Sequence, residues 1–588
     1  MLNRPLARVL ALCLALLPLA CNTAPERTDT ADPNADFDTF KEHFVETLWE
    51  LDPTWASYVG RREYDSLLTL PTEAQRTREA TAYAALRDSL GTFDPAALSV
   101  LNRMDLKMLR DFLTAQRWYR ETLKAHTWNP AAYNVGGACA RVLQGRYGTL
   151  PGRLRSLSNR LALVPTYYAA ARENLETTTL PHLQLALVQS RGVLDGVLNQ
   201  AMRDSVARAD LPRAEKRRFN ERLDSARAAV AAYVAYLEDV QQALDTASAR
   251  DFRLGPEAFR RKFDLDLQSG FTADEVFARA KARKRYLHRH MDSITTQLWA
   301  KYVPDEAPPA DSLQKIRRVI DAIAESHTTR GAFVTTIREQ IPELTAFVDS
   351  ADLLTQDPTK PLVVRETPLY MRGGGAGASV SAPGPYDQDG ETFYNVTPLD
   401  GYDEAGAESY LREYNDYTLQ ILNVHEAIPG HYTQLVYANK APSVVKSVLG
   451  NGAMIEGWAV YAELMMLEAG YRNSPEMWLM YDKWNLRVTT NAILDHLVHT
   501  TNLSEAEAMQ LLVAEAFQER SEAEGKWRRA KLSQVQLSSY FTGFTEILAL
   551  REALKKQQGD AFDLKAFHEQ FLSYGSAPVP YIAEAMRE

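Results

Sequence analysis

Residues 425–431 read His425-Glu426-Ala427-Ile428-Pro429-Gly430-His431, and Glu456-Gly457-Trp458-Ala459 follows downstream. Imidazole nitrogens and carboxylate oxygens are the common ligands of zinc, and a catalytic zinc takes three of them while leaving one position open. A carboxylate beside such a site can accept a proton from water whose pKa the ion has lowered. His425, His431 and Glu456 are therefore candidate ligands of one Zn2+ per chain, with Glu426 as general base. The spacing is unusual. In H-E-x-x-H the histidines share one helical face at i and i+4. Here the second stands at i+6, about 120° away on a regular helix. Either the pairing is a coincidence in a chain of 11 histidines, or the helix breaks between them. Pro429 lacks a backbone N–H and Gly430 tolerates backbone angles closed to other residues, so the pair marks a helix end or a bulge that returns His431 to the first histidine.

Other side chains have the right chemistry for the same reaction. Tyr540, in Ser538-Ser539-Tyr540-Phe541, carries a hydroxyl suited to an oxyanion. Asp495 and His499 stand at i and i+4 within an apolar helical pattern, either as a satisfied core pair or as a carboxylate that supports a histidine donor. Glu463, seven residues after Glu456, shares its face and either orients a ligand or pairs with an arginine. Arg528 and Arg529 are a solvated pair or a grip on a substrate carboxylate.

These residues must be held by helices. Phe37, Phe40, Phe44, Leu48 and Leu51 recur at helical spacing. Further helical stretches cover about 72–92, 102–126, 155–178, 180–208, 212–248, 273–302, 310–328 and 330–340. The motif helix is expected from about Glu408 into His425 and the Glu456 helix to about Ala469. Others fit 475–500, 504–519, 526–556 and 564–573. Only 358–402 has a different texture. Pro361 to Glu366, Ala378 to Ser381 and Thr392 to Val396 read as short strands, bounded by Gly and Pro. Of these, Thr392 to Val396 is the strand expected to align an extended peptide by edge pairing. The run Gly373 to Gly377 is not a phosphate loop, since no Gly-Lys-Ser/Thr follows it, and reads as a surface loop or a flap over a cleft.

The chain has 588 residues, 45% hydrophobic and 24% charged, the balance of an ordinary globular protein. Its net charge of −10 argues against a nucleic-acid partner. Arg4 and Arg8 precede an apolar run from Val9 to Ala20, too short to span a bilayer and suited to a signal peptide over 1–20. Leu17-Pro18-Leu19-Ala20-Cys21 resembles a lipobox, which makes Cys21 a lipidated first residue that holds the protein to a membrane, and the polar 21–35 a tether. Asn22 after the cysteine favours the outer membrane of a bacterial cell envelope. Cys139 is then left alone, so no disulfide framework exists. The globular part divides on sequence into a helical part, 36–357, and a catalytic part, 358–588, of one continuous unit.

HEAIPGH with Gln434, followed by Glu456-Gly457-Trp458-Ala459 and Tyr461-Ala462-Glu463, resembles the bacterial family called domain of unknown function 885. So do Leu51-Asp52-Pro53, Asp495 with His499, Gln536 with Ser539-Tyr540, and Gly575-Ser576 with Pro578 and Pro580. Tyr432 stands where the family usually has a histidine, and Thr542 where a lysine is more typical. The resemblance implies a mainly α protein, one large helical domain with a deep cleft and a small sheet near the active site, similar to neurolysin-like and carboxypeptidase-like gluzincin peptidases. It implies His425, His431 and Glu456 as zinc ligands and Glu426 as base, and the residue chemistry adds Tyr540 or His499 as oxyanion donor. The expected function is hydrolysis of oligopeptides by a zinc metallopeptidase. A lipoprotein that binds peptides or a partner without catalysis, or a metal-dependent amidase acting on cell-wall peptides, is the alternative.

Overall fold

The computed structural model describes residues 32–244, 249–368, 371, 377–387 and 390–588. The signal run, Cys21, most of the tether and the stretch from Gly373 to Ala376 lie outside them. The tether ends earlier than residue 35. Asp32 accepts a hydrogen bond from the Asn34 amide, and Pro33 opens a helix over Pro33–Leu51.

The protein is mainly α, with one three-stranded sheet among the described residues. Several long helical stretches divide at residues that cap or cannot propagate a helix. The stretch 155–178 is two helices, Leu150–Leu161 and Val164–Asn174, with Pro165 in the first turn of the second. The expected motif helix is also two, Glu404–Glu413 and Asp416–Glu426. Asn415 between them accepts from the amides of Tyr417 and Thr418 and so begins the second. The stretch 526–556 splits into Arg520–Ser533 and Gln536–Gln558 at Gln534 and Val535, both with positive φ.

Two apolar cores hold these helices. The larger gathers Phe37, Phe44 and Trp49 with Trp458, Leu494 and Phe571, so that the first and last helices of the chain share it. The other, built on Leu154, Leu183, Phe219 and Tyr233, joins helices from the 133–237 region. Gly452–Glu468 and Pro475–Thr500 are buried on nearly every face, as expected of helices at the centre of a large core. Gly452–Glu468 packs almost backbone to backbone on Gln536–Gln558. A Cβ on Gly457 would lie 2.4 Å from the Gly543 carbonyl carbon, and one on Gly543 would lie 1.7 Å from the Ala453 oxygen. Only glycine permits this crossing, which sets Glu456 close to Gln536 and Tyr540.

The sheet has the order β1-β3-β2, with β1 Leu362–Glu366, β2 Ala378–Ser381 and β3 Thr392–Val396. β3 runs parallel to β1 with Val364 opposite Tyr394, and antiparallel to β2 with Val380 opposite Tyr394. This corrects the assignment of the peptide-aligning edge. β3 is paired on both sides and has no free edge, whereas β2 is an edge strand. The Tyr394 hydroxyl donates to Asn423 Oδ1 at 2.8 Å, which pins the sheet to the motif helix.

Candidate metal centre

The motif helix stops at Glu426 and the next helix, His431–Ala438, starts at His431. Between them the Ile428–Pro429 peptide is cis. The Gly430 amide then donates to the Val424 carbonyl at 3.0 Å, folding the chain back over the helix end. A Cβ on Gly430 would lie 1.9 Å from the His425 oxygen, so this return requires glycine. The Trp458 indole N–H holds the Pro429 carbonyl at 2.9 Å. The Gly-Trp that follows Glu456 therefore grips the loop that presents His431. Gln434 donates to Ser576 Oγ at 2.9 Å and fixes the start of the second helix to the C-terminal turn.

The break brings the two histidines together, with ring centroids 4.8 Å apart and planes at 85°. Glu456 Oε2 lies 3.3 Å from His431 Nε2 and 3.8 Å from His425 Nε2. One ligand atom from each of the three residues falls within 4.8 Å of the others. Ligand atoms around a tetrahedral zinc stand about 3.3 Å apart, so a small inward movement suffices. Glu456 Oε2 is buried and makes no hydrogen bond, although two imidazole nitrogens face it. A buried oxygen without a partner is costly unless something binds it. Two imidazole nitrogens and one carboxylate oxygen converging on a shared point are the donor set of a divalent transition metal, and the residues present fit zinc.

The surrounding groups orient these ligands. His425 Nδ1 pairs with Glu463 Oε1 at 2.6 Å, and the Trp484 indole donates to the same oxygen at 2.9 Å. His425 Nε2 is left to face Glu456. The second Glu456 oxygen accepts from Gln536 Nε2 at 3.2 Å. Arg529 donates to Gln536 Oε1 at 2.6 Å and to the Tyr540 hydroxyl at 2.7 Å. The Tyr540 ring lies 6.2 Å from that of His425.

The charge of each group is set by its burial and its neighbours. Burial, and then the neighbouring His431, hold His425 down to about 3, in the neutral form that binds metals. Burial opposes charge on His431, but the Glu456 carboxylate more than offsets it and raises that histidine. Burial likewise opposes charge on Glu456, yet His431 pulls it down to about 2. Glu426 is different. Burial, only partly countered by His431, pushes it up to about 7, and no hydrogen bond to its carboxylate exists among the described residues.

His425, Glu426, His431, Glu456 and Tyr540 all line one cavity of about 500 Å³. β2 forms part of its wall, followed by Pro383-Gly384-Pro385. A cavity of about 580 Å³ adjoins at Trp55, Ile455 and Glu456, and another of about 420 Å³ at Gly377 and Arg529. The histidines thus sit midway along an extended cleft.

His499 is not brought to this cavity. Its Nε2 donates to the Ala530 carbonyl at 3.0 Å, and its ring stacks on Phe259. Asp495 accepts from the Val535 and Ser538 amides and the Ser538 hydroxyl, capping the helix that carries Gln536 and Tyr540. The pair supports that helix and stands apart from the reacting atoms, so of the two candidate donors only Tyr540 reaches the cavity. Arg528 lines the adjoining cavity of about 420 Å³, while Arg529 lines both. Trp484, Arg487, Asn491 and Lys526 also line the metal cavity and were not anticipated. For Arg487 and Asn491 the one signal is polar residues within the buried helix Pro475–Thr500, and Lys526, on Arg520–Ser533, has none.

The structure of a candidate lipoprotein of unknown function from Shewanella oneidensis is 47% identical, covers 94% of this chain and 100% of its own, and superposes with a TM-score of 0.82. A similarly described lipoprotein from Colwellia psychrerythraea, 16% identical, shares the fold with a TM-score of 0.76 over 95% of this chain and 99% of its own. No curated protein matches the chain. Residues 53–586 match the family described as "Bacterial protein of unknown function (DUF885)", and over that span the chain belongs to this family.

Proposed function

We propose that the protein is a zinc-dependent peptidase of the bacterial cell envelope, acting on oligopeptides in the cleft. The observation that carries this reading is the convergence of one buried Glu456 oxygen on two imidazole nitrogens, with the carboxylate of Glu426 in the same cavity. A pure binding protein has no use for Glu426 there. Zinc, when bound, supplies a Lewis acid that makes water acidic and polarises an amide carbonyl.

The chain's own residues do the rest. Glu426 takes the proton of the attacking water and passes it to the leaving amine nitrogen, a role suited to a group poised near neutral pH. The Tyr540 hydroxyl donates to the oxygen of the tetrahedral intermediate, and Arg529 beside it favours that transfer of charge. Edge strand β2 offers free backbone groups along the cavity wall and aligns an extended peptide. The ligand set of two histidines and a downstream glutamate, on helices beside a small sheet, is that of gluzincin-type, neurolysin-like peptidases.

The location follows from the N-terminus. Lipidation at Cys21 anchors the protein, in keeping with the lipoproteins to which it is similar, and the outer membrane is the favoured site. No described helix is long and apolar enough to cross a membrane. The test is metal content with peptide hydrolysis. Zinc near one per chain, and cleavage lost in Glu426→Gln, support the proposal. A protein that binds zinc and peptides but cleaves none is the non-catalytic lipoprotein instead.

A further inference from the structure

The cavity beside the histidines holds more positive charge than its own carboxylates balance. Arg487, Lys526 and Arg529 line it. Lys526 is only 3% exposed, and its one ion pair is with Glu522 Oε1 at 3.8 Å, beyond hydrogen-bond reach. That same oxygen already lies 2.6 Å from a terminal nitrogen of Arg487, which donates its hydrogen bond to the Tyr414 hydroxyl at 3.2 Å. The other terminal nitrogen of Arg487 is buried without a hydrogen bond, 3.5 Å from Glu413 Oε1. Glu413 is itself held by Lys483 at 2.7 Å. Arg529 donates only to neutral acceptors, Gln536 and Tyr540. Lys483, Arg487 and Lys526 thus share two carboxylates, those of Glu413 and Glu522, and Arg529 pairs with neither. The acids nearer the histidines do not make up the difference. Glu456 faces the histidines and Gln536, Glu463 is committed to His425 and Trp484, and Glu426, which lines the same cavity, makes no ion pair with any of the three among the described residues.

Buried charges are retained only when paired, and a buried lysine without a hydrogen-bond partner, lining a cavity beside two arginines, makes a site for a carboxylate. We infer that Arg487, Lys526 and Arg529 form the subsite for a substrate carboxylate, so that the preferred substrates are peptides bearing a negative group close to the scissile bond. This rests on the peptidase reading above. The distance fits. Arg529 is bonded to Tyr540, whose ring is 6.2 Å from His425, and an extended peptide advances about 3.4 Å per residue. The carboxylate therefore lies within a few residues of the bond cut. It comes either from the peptide's own C-terminus or from an acidic side chain.

Three matched N-acetylated peptides separate these sources: one with a free C-terminal carboxylate, its C-terminal amide, and an amide with glutamate beside the scissile bond. Their binding to zinc-loaded Glu426→Gln protein is measured by calorimetry, alone and with Lys526→Met added, and their hydrolysis by the unsubstituted enzyme is followed in parallel. The expected result is binding of at least one carboxylate peptide about tenfold or more tighter than the neutral amide, with Lys526→Met removing most of that difference at unchanged zinc content. Which carboxylate peptide gains identifies the source. Equal binding of all three, or a preference that survives both Lys526→Met and Lys526→Gln, overturns the inference. The two variants are compared because the amide of the second keeps a polar group in the cavity should the first fail to fold. Hydrolysis of all three at equal rates with equal binding removes the subsite and leaves the peptidase. A carboxylate preference in binding without hydrolysis of any peptide leaves the subsite and removes the peptidase.

Discussion

Replacing Glu426 with glutamine should stabilise the zinc-free protein while abolishing its activity. Burial raises the Glu426 carboxyl from an ordinary 4.5 to about 7. Below pH 4.5 both the folded and unfolded chains hold the proton and the group contributes no pH dependence. Between 4.5 and about 7 the unfolded chain releases the proton while the folded chain keeps it, so stability falls as pH rises. Above 7 the loss is complete. The shift corresponds to about 3 kcal/mol. Glutamine has nearly the same shape and no charge to bury, so Glu426→Gln avoids that loss. For a chain of 588 residues, this raises Tm by roughly 2–3 °C at pH 8, with no difference near pH 4.5. The assay is thermal unfolding of both proteins in chelator at the two pH values. Added zinc should narrow the gap at pH 8, because a nearby divalent cation favours the ionised carboxylate. Peptide hydrolysis by the zinc-loaded variant should fall by about 10²- to 10⁴-fold. A variant no more stable than the parent at pH 8, or equally stabilised at both pH values, refutes the account of Glu426 as a buried, ionisable base. Hydrolysis within tenfold of the parent refutes its catalytic role.

Other substitutions test the remaining parts. Glu463→Gln weakens the carboxylate that orients His425 and should lower zinc affinity by about 10- to 100-fold, read in a competition with a chromogenic chelator. Tyr540→Phe removes the proposed oxyanion donor and should cost about 10²-fold in kcat with KM little changed; loss of KM alone would assign the hydroxyl to substrate binding. His499→Leu deletes the hydrogen bond to Ala530 but touches no lining of the metal cavity, so it should lower stability by about 1–3 kcal/mol and leave the per-molecule rate within a few-fold. Gly543→Ala forces a methyl against the Ala453 carbonyl, and the helices must part at a cost of about 3 kcal/mol. Zinc affinity should fall with it, since Glu456 and Gln536 ride on those helices.

Much of the helical plan is legible because amphipathic spacing and caps are local. Ala273–Tyr302, Pro475–Thr500 and Leu564–Ser573 fall where their apolar periods and their caps Thr272, Ser474 and Asp563 place them. Some errors are omissions, since Phe333–Ser350 outruns the expected 330–340 and Pro256–Leu267 is not in the expected set, and others are joins. Periodicity carries across Asn415 and across Val164-Pro165, because each new helix resumes an apolar face against the same core. The cap at Asn415 and the proline at 165 were both visible, but a window that weighs hydrophobic spacing passes over a single capping residue. The strands were also legible, from β-branched and aromatic runs. Their order was not. β3, last in the chain, inserts between β1 and β2, and nothing within Thr392 to Val396 records which of its edges is covered.

The site divides in the same way. The break between His425 and His431 was visible in Pro429-Gly430, because proline and glycine act on their own backbone. The distance from those histidines to Glu456 is a different kind of quantity, set by contacts the motif does not contain. Trp458 holds the Pro429 carbonyl, and Gly457 lets its helix meet Gly543 nearly backbone to backbone. A larger residue at either glycine would move Glu456 away from Gln536 with the ligands unchanged in sequence. The glycine and tryptophan after Glu456 therefore position the candidate metal ligands, and their spacing carries positional information that the histidines and glutamates alone lack. The cations resist sequence reading for the opposite reason. Arg487 and Lys526 look like solvated helix faces, and only the packing of their two helices with Glu404–Glu413, which leaves Glu413 and Glu522 as their shared acids, shows them to be a buried excess. A charge reads as functional once its partners are counted in space, and at this cavity the count leaves room for one more carboxylate.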